Sequence, residues 1–300
     1  MICKVFSGTG SLHFVRSFCA LTGLPRGNVA VAHYTRGEIS VKILENVEKT
    51  NVIFIKQISK NINNDVLEVL QFVDVAKRMK AKTITVVLPC FPYTRQNKAD
   101  CCCAQGGVLL AKLLVDLGVH RIVTFDIHTL VKDTNYPAEF TPIFLENFWC
   151  NYINSLKFCR EETVVFGADK GATVRAQNIA QFLKVPWGFL EKKRNLDGTV
   201  TVINQVGNCK GKHVFLLDDL MGTGATIAAA AKMLRANGCV SITVLVTHCC
   251  LNAQKVAKLL ETDIEHIVVS DTVPIKKTAA LEVISVIPTL AEQIKLLLCG

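Results

Sequence analysis

Continuous apolar runs of strand length alternate with helical patterns along the chain, and this order limits the folds that the sequence can adopt. In the first half the runs are residues 52–55, 84–88 and 121–125. Between them, apolar residues recur at helical spacing over 65–80 and 107–117. Strands that are apolar throughout, without alternating polar residues, are typical of a parallel sheet covered by helices on both faces.

The second half of the chain repeats this scheme. Its strand-like runs and helical patterns are residues 163–166, 173–183, 212–217, 226–236 and 242–246. Residues 137–159 between the halves have a weaker pattern and contain two prolines. We therefore predict an α/β protein with two similar domains, residues 1–145 and 146–300, each a mostly parallel sheet flanked by helices.

The composition is that of an ordinary folded protein. Half of the 300 residues are hydrophobic and 20% are charged, which argues against disorder. The formal net charge of +9 fits either phosphate-rich ligands or a surface bias, and the surface bias is the simpler interpretation. Aromatic residues make up only 7%, and no run of Lys and Arg is interleaved with them, so we expect no nucleic-acid partner.

The thirteen cysteines indicate a reducing compartment rather than a disulfide framework. Their number is odd, no C-x-x-C pair occurs, and several of them are adjacent in the sequence. The N-terminus has no signal-peptide pattern, and Lys112 and Asp116 interrupt the longest apolar stretch. We therefore expect a cytoplasmic protein with free thiols and no association with a membrane.

The segment VFLLDDLMGTGAT at residues 214–226 is the strongest local signal. A buried strand ends in two carboxylates, and a loop of small residues then leads into a helix. These residues are Asp218, Asp219, Gly222, Thr223, Gly224, Ala225 and Thr226. The free N–H groups of a helix start favour phosphate, and the two carboxylates suit the hydroxyls of a ribose. The alternative interpretation is an Asp pair that caps the helix, with glycine only making the turn.

This segment resembles the phosphoribosyl-binding motif of type I phosphoribosyltransferases and ribose-phosphate diphosphokinases. Three further segments resemble the diphosphokinases: PCFPYTRQ at 89–96, FDIH at 125–128 and GADKGA at 167–172. Together with FSG at 6–8, the resemblance covers nearly the whole chain in the expected order. It implies two type I phosphoribosyltransferase-like domains, with ATP on the N-terminal side and ribose 5-phosphate on the C-terminal side.

The resemblance also implies an ATP site in the first half of the chain. Arg95 and Gln96 would contact ATP, whereas an arginine after a loop is otherwise a common surface residue. In the segment HYTRGE at 33–38, Tyr34 would stack on adenine, and Arg36 and Glu38 would form hydrogen bonds. In relatives this segment reaches into the site of a neighbouring subunit, which implies a homo-oligomer, a dimer or larger.

The metal and diphosphate sites are likewise implied by the resemblance. Mg²⁺ would be held by His128 and Asp169, although a histidine at a strand end is more often satisfied by a neighbouring group. The diphosphate would bind to the loop that contains Asp169, Lys170, Gly171 and Ala172.

The charged segment LEKKRNLDG at 190–198 has two interpretations. From its residues alone it is a solvated hairpin between two strands. The resemblance implies a mobile catalytic loop in which Lys192 and Arg194 close over ATP. The implied reaction is attack of the C1 hydroxyl of ribose 5-phosphate on the β-phosphorus of Mg-ATP. It releases AMP without a covalent enzyme intermediate.

Two other functions remain open. Many relatives have Asp where this chain has Gly222 and Gly where it has Ala225, so a non-catalytic regulatory homologue is one alternative. The presence of His128 and of the charged segment argues against it. A phosphoribosyltransferase is the other alternative, and the ATP-type segment with Arg95 argues against that one.

Overall fold

The chain divides into two compact units. The structure is a computed structural model that describes residues 2–95, 102–127, 135–194, 200–275, 278 and 281–299. The first unit comprises Met1–Ile143, Thr272–Pro274 and Val286–Gly300, and the second comprises Phe144–Asp271 and Ile275–Ser285. The division that we expected after residue 145 differs from this arrangement at the C-terminus, because the last helix belongs to the first unit.

The first unit contains a parallel sheet with strand order β1-β4-β5-β6-β7, and a separate antiparallel ribbon of β2 and β3. Its elements up to the division are β1 (Cys3–Ser7), α1 (Leu12–Thr22), β2 (Val29–His33), β3 (Ile39–Ile43), β4 (Asn51–Ile55), α2 (Ile62–Arg78), β5 (Thr83–Val87), α3 (Gly106–Leu117), β6 (Arg121–Phe125) and β7 (Phe140–Ile143).

The second unit contains a larger sheet with strand order β10-β9-β8-β11-β12-β13-β14, in which only the β9–β10 pair is antiparallel. Its elements are α4 (Glu146–Ser155), β8 (Thr163–Gly167), α5 (Thr173–Leu183), β9 (Trp187–Arg194), β10 (Val200–Val206), β11 (His213–Met221), α6 (Ala225–Ala236), β12 (Ser241–Cys249), α7 (Ala253–Leu260), β13 (His266–Ser270) and β14 (Glu282–Ile284). Helix α8 (Ile287–Cys299) then returns to the first unit, where it packs beside α1.

The two units have the same order of elements. Apart from α4, which precedes β8 in the second unit, and α8, which ends the first, each has a strand and a helix, then a two-stranded antiparallel ribbon, then strands alternating with helices before two final strands. Every residue of β4 and of β8 is buried, as the continuous apolar runs predicted. The prediction of two similar, mostly parallel sheets flanked by helices is therefore confirmed. No helix in the described ranges is long and apolar enough to cross a membrane.

Three phenylalanines link the sheet of the first unit to α2. The rings of Phe54 on β4 and Phe72 on α2 stack with centroids 4.0 Å apart, and Phe6 on β1 lies 5.3 Å from Phe72. All three side chains are fully buried. Helix α2 therefore contributes a large apolar contact to the sheet that supports the loops at its carboxyl edge.

We expect Phe72→Ala to lower the free energy of unfolding by about 3–5 kcal/mol, because it leaves a cavity between sheet and helix. Leu67, on the same helix but half-exposed, is the matched control, and Leu67→Ala is expected to cost only about 0.5 kcal/mol. Urea denaturation followed by circular dichroism measures both. Equal shifts of the two midpoints would show that the stack does not stabilise this unit.

Candidate active site

Two adjacent carboxylates lie near the carboxyl end of β11. Asp218 and Asp219 are buried within the strand, which continues to Met221 because its last residues still pair with β12. The prediction that the strand stops at residue 217 was therefore wrong. The backbone N–H of Asp219 donates to Oδ1 of Asp218 over 2.9 Å, so this carboxylate is held beside the strand.

The loop after β11 leads directly into α6. Gly224 has φ of 83°, and a Cβ there would lie 2.8 Å from Cδ1 of Leu259 on α7, so both backbone conformation and space require glycine. Helix α6 begins at Ala225, and the Ala225 N–H lies 3.4 Å from Oγ1 of Thr223. Gly222, Thr223 and the first turn of α6, which includes Thr226, form the kind of helix start that binds phosphate.

A second loop lies after β8, the strand that pairs with β11. Lys170–Ala172 form a single 3-10 turn, and the carboxylate of Asp169 accepts a hydrogen bond from the Ala172 N–H over 3.1 Å. A Cβ at Gly171 would lie 3.1 Å from Oδ1 of Asp169. The predicted diphosphate loop is thus a compact turn whose acidic residue is held by the backbone of the turn itself.

Lys192 forms an ion pair with Asp169. The pair arises because β9 runs parallel to β8 on one side and antiparallel to β10 on the other, with Lys192 opposite Val202. The prediction of a charged loop over residues 190–198 was partly wrong, because β9 continues to Arg194. The adjacent charged residues of β9 are not typical of a strand. The alternation of apolar and polar residues in β10 nevertheless indicated a strand that pairs with it in a ribbon.

A cavity of about 430 Å³ lies at this loop and ribbon. It is lined by Asp169, Lys170, Gly171, Glu191, Lys192 and Ile203. Glu191 and Ile203 were not among the predicted residues, since neither has a chemical role that its type alone would indicate. The cavity adjoins the ion pair, so a bound anion would lie next to the ammonium group of Lys192.

The neighbouring carboxylates of this edge act electrostatically on Asp218. Burial raises the pKa of Asp218 well above its usual value of 3.8, and the neighbouring carboxylates of Asp219 and Asp169 raise it further. The ammonium of Lys192 acts in the opposite direction but does not offset these effects. The surroundings of Asp218 therefore disfavour its ionised form, and a bound cation would favour it.

The three residues predicted for adenine recognition lie together at the turn of the β2–β3 ribbon. The Tyr34 N–H donates to the Glu38 carbonyl over 2.8 Å, and Gly37 has φ of 87°, which closes the turn. The side chains of Tyr34, Arg36 and Glu38 are exposed. The structure thus presents all three on one projecting turn of the first unit.

The predicted ATP-contacting segment follows β5. Its Tyr93 has φ of 62°, and the hydroxyl of Tyr93 donates to Oδ1 of Asn63 on α2 over 2.5 Å. Arg95 is exposed at the end of the segment. Gln96 and His128, predicted for ATP and for the metal, lie outside the described residues. Within those residues no three His, Cys, Asp or Glu side chains form a metal-binding group.

The fold of the second unit and its site define a phosphoribosyltransferase-type protein. Residues 149–278 match the family model described as the phosphoribosyl transferase domain. Residues 3–118 match the model described as the N-terminal domain of ribose phosphate pyrophosphokinase.

Individual relatives match this chain over nearly its full length. The ribose-phosphate pyrophosphokinase of Caldanaerobacter subterraneus subsp. tengcongensis is 32% identical over 300 residues, 97% of this chain and 93% of its own. That of Campylobacter jejuni is 29% identical, covering 97% and 94%. The crystal structure of phosphoribosylpyrophosphate synthetase from Mycobacterium smegmatis has a TM-score of 0.88 at 27% identity, covering 99% of both chains. The chain belongs to the ribose-phosphate pyrophosphokinase family of enzymes, as the motifs predicted.

The raised pKa of Asp218 gives a stability prediction. The folded protein binds this proton more tightly than the unfolded chain, so stability falls as pH rises from 3.8 through the folded-state pKa. At pH 7, without divalent ions, we expect Asp218→Asn to raise the melting temperature by about 2–4 °C. The gain should shrink as the pH approaches about 4.

Thermal unfolding monitored by circular dichroism across this pH range measures the effect. Asp74→Asn is the control, because it removes only an exposed ion pair with Arg78 and should change the melting temperature little at any pH. A gain from Asp218→Asn that is constant across the pH range would contradict the electrostatic explanation.

Proposed function

We propose that the protein transfers the β,γ-diphosphate of Mg-ATP to the C1 hydroxyl of ribose 5-phosphate, giving 5-phosphoribosyl 1-diphosphate and AMP. The observation that carries the proposal is the arrangement at one edge of the second sheet. There, the strand β11 that contains Asp218 and Asp219 leads through a short loop into the helix start of α6. The ion pair of Lys192 and Asp169 lies beside Asp218, whose pKa both of them affect.

Ribose 5-phosphate would bind at the loop between β11 and α6. The 5-phosphate accepts hydrogen bonds from the first N–H groups of α6 and from the hydroxyls of Thr223 and Thr226. The sugar carries no charge and donates its 2- and 3-hydroxyls to the carboxylates of Asp218 and Asp219. Phosphate and carboxylates thereby contact opposite ends of one small molecule and do not repel each other directly.

The diphosphate would bind at the turn after β8, where the absence of a side chain at Gly171 leaves the backbone accessible. Lys192 is already held at this turn by Asp169, so it needs little rearrangement to reach an incoming phosphate oxygen. Lys192 and Arg194 would then stabilise the charge that develops on the transferred group. Attack at the β-phosphorus is in line, with positioning as the main source of acceleration.

ATP would be held by Tyr34, Arg36, Glu38, Arg95 and Gln96. The exposed turn of the β2–β3 ribbon suits a contact with a nucleotide bound to another subunit, which supports a homo-oligomer, a dimer or larger. Tyr34, with 59% of its surface exposed, has an accessible ring for stacking on a purine. We further propose that the protein acts in the cytoplasm, without a nucleic-acid or membrane partner.

Mg²⁺ fits the charge of the second unit's edge. The carboxylates of Asp219 and Asp169 raise the pKa of Asp218 there, beyond what the ammonium of Lys192 offsets. Oxygen ligands with excess negative charge are the environment that a hard divalent cation prefers. Of the two residues that the resemblance implies for the metal, Asp169 is the described one that would hold the ion, and His128 lies outside the described residues. When bound, the ion would neutralise charge on the ATP phosphates.

A regulatory homologue without activity is the second candidate, and the resemblance gives one reason for it. Gly222 and Ala225 replace the Asp and Gly of many relatives in the loop between β11 and α6. Since Asp218, Asp219 and Lys192 are all present, the groups proposed to bind the sugar and the transferred diphosphate remain, and we rank the enzyme first.

The reaction is tested by measuring AMP formed from Mg-ATP with and without ribose 5-phosphate. We expect AMP only when the sugar phosphate is present, and a loss of about 10²–10³-fold in kcat for Lys192→Ala, since a cation at the transferred group is lost. Lys232→Ala, which removes an exposed lysine from α6 of the same unit, should retain activity within about twofold.

Absence of AMP with Mg²⁺, Mn²⁺ and Co²⁺ would reject the enzymatic proposal and favour the regulatory homologue. AMP formation that is equal with and without ribose 5-phosphate would instead indicate simple ATP hydrolysis.

A further inference from the structure

The first unit contains a buried lysine at the position that Asp218 has in the second. In each unit the residue after the first strand bonds to the partner strand in the same way. The Gly8 N–H donates to the Ile55 carbonyl over 2.9 Å, and the Ala168 N–H donates to the Leu217 carbonyl over 2.9 Å. The residue that follows is Lys56 in the first unit and Asp218 in the second, so the same place in the fold has opposite charge.

Lys56 is held by two carboxylates from α2. Its side chain is only 1% exposed, and its Nζ lies 2.7 Å from Oδ1 of Asp65 and 3.0 Å from Oε2 of Glu68. The same ammonium donates to the carbonyl of Thr9 over 2.7 Å. A Cβ at Gly8 would lie 2.4 Å from Cδ of Lys56, so the lysine stem fills the space beside the loop after β1.

The two carboxylates also bind the backbone of the neighbouring loops. Glu68 accepts a hydrogen bond from the Thr9 N–H over 2.6 Å, and Asp65 accepts one from the Ser59 N–H over 2.5 Å. Lys56, Asp65 and Glu68, hereafter the Lys56 cluster, therefore join the loop after β1, the loop after β4 and the start of α2. A buried charge is tolerated only when its partners are well placed, so this geometry is strongly constrained.

The Lys56 cluster connects to the segment that carries Arg95 by two routes. The backbone N–H of Lys56 donates to the Val87 carbonyl over 3.0 Å, at the last residue of the strand from which the segment continues. Further along, the Tyr93 hydroxyl donates to Asn63, in the first turn of the helix that bears Asp65 and Glu68. The start and the middle of the segment are thus both attached to elements that the cluster fixes.

We propose that Lys56 is a positioning residue that, through Asp65 and Glu68, holds the segment 88–95 in the conformation in which Arg95 contacts ATP. This inference rests on the proposed function, because it requires that ATP bind to this segment. Lys56 itself contacts no substrate; it determines where α2 and the end of β5 lie, and hence where Arg95 is presented.

The test uses a triple variant, Lys56→Met, Asp65→Asn and Glu68→Gln. It removes all three charges together and leaves no buried charge unpaired, while the amide oxygens can still accept from Thr9 and Ser59. Isothermal titration measures the Kd of α,β-methylene-ATP with Mg²⁺ and, separately, the Kd of ribose 5-phosphate. The analogue cannot transfer its diphosphate, so this readout does not depend on turnover.

We expect the triple variant to bind the ATP analogue about tenfold more weakly and ribose 5-phosphate within about twofold of the wild type. The control is Lys4→Met, which breaks the half-buried pair with Glu45 in the same unit and should change neither Kd. Unchanged affinity for the ATP analogue in a folded triple variant overturns the proposal. An equal loss for both ligands also overturns it, because that result indicates general destabilisation.

If circular dichroism shows that the triple variant does not fold, Tyr93→Phe decides, since it removes only the bond to Asn63. About threefold weaker binding of the ATP analogue, with ribose 5-phosphate unaffected, supports the proposal, and unchanged binding overturns it.

A wild type that makes no AMP but binds the analogue rejects the proposed reaction and leaves the positioning test valid. A wild type that does not bind the analogue overturns the positioning role.

Discussion

The parallel pairing of β8 with β11 is the constraint on which the candidate site depends. Gly167 lies opposite Leu217, so the loop after one strand and the carboxylates of the other meet at the same edge. The ribbon strand β9 pairs with the other side of β8 and brings Lys192 to Asp169. Residues that are distant in the sequence thus form one group because parallel strands end at a common edge.

The carboxylates at this edge of the second sheet lower the stability of the folded protein when no ligand is bound. Asp218 is buried next to other carboxylates, and both effects raise its pKa and disfavour the ionised form in the folded protein. A cation or a hydrogen-bonding sugar would relieve that strain, and any ligand that binds only the folded state stabilises it. Binding and stability are therefore linked here through the same carboxylates, whereas a pair designed only for stability would be neutralised within the protein.

The regular elements were predictable because their periods are local properties. Helix α5 and strand β6 have the bounds that the apolar pattern indicated, and α2, α3 and β5 differ by a few residues at most. The ends of β9 and β11 were not predictable, since a strand continues as long as its partner offers hydrogen bonds, and the partner is distant in the sequence. The ion pair of Lys192 and Asp169 was not predictable for the same reason, because it depends on the pairing of strands that are distant in the sequence.

The Lys56 cluster could have been found from the sequence. Asp65 and Glu68 lie on the same face of α2 as the buried residues Val69 and Phe72. Two carboxylates in an apolar stripe require a buried cation, and the nearest lysine that directly follows a fully apolar strand is Lys56. The apolar spacing that predicted α2 does not by itself indicate which group balances the charges within the apolar stripe.

The same order of elements therefore supports two sheet edges that differ in the charge of the equivalent residue. In the second unit the residue at this place in the fold, Asp218 within β11, is acidic, and the surrounding protein disfavours its ionised form. In the first unit the equivalent Lys56 is satisfied within the protein by two carboxylates of the following helix. Its charge is thus unavailable to a ligand, and what that edge can offer is the precise placement of neighbouring segments. A repeated fold can in this way keep one edge for binding and use the other for positioning. The difference depends on whether Lys56 or Asp218 occupies the equivalent position and on which groups surround it.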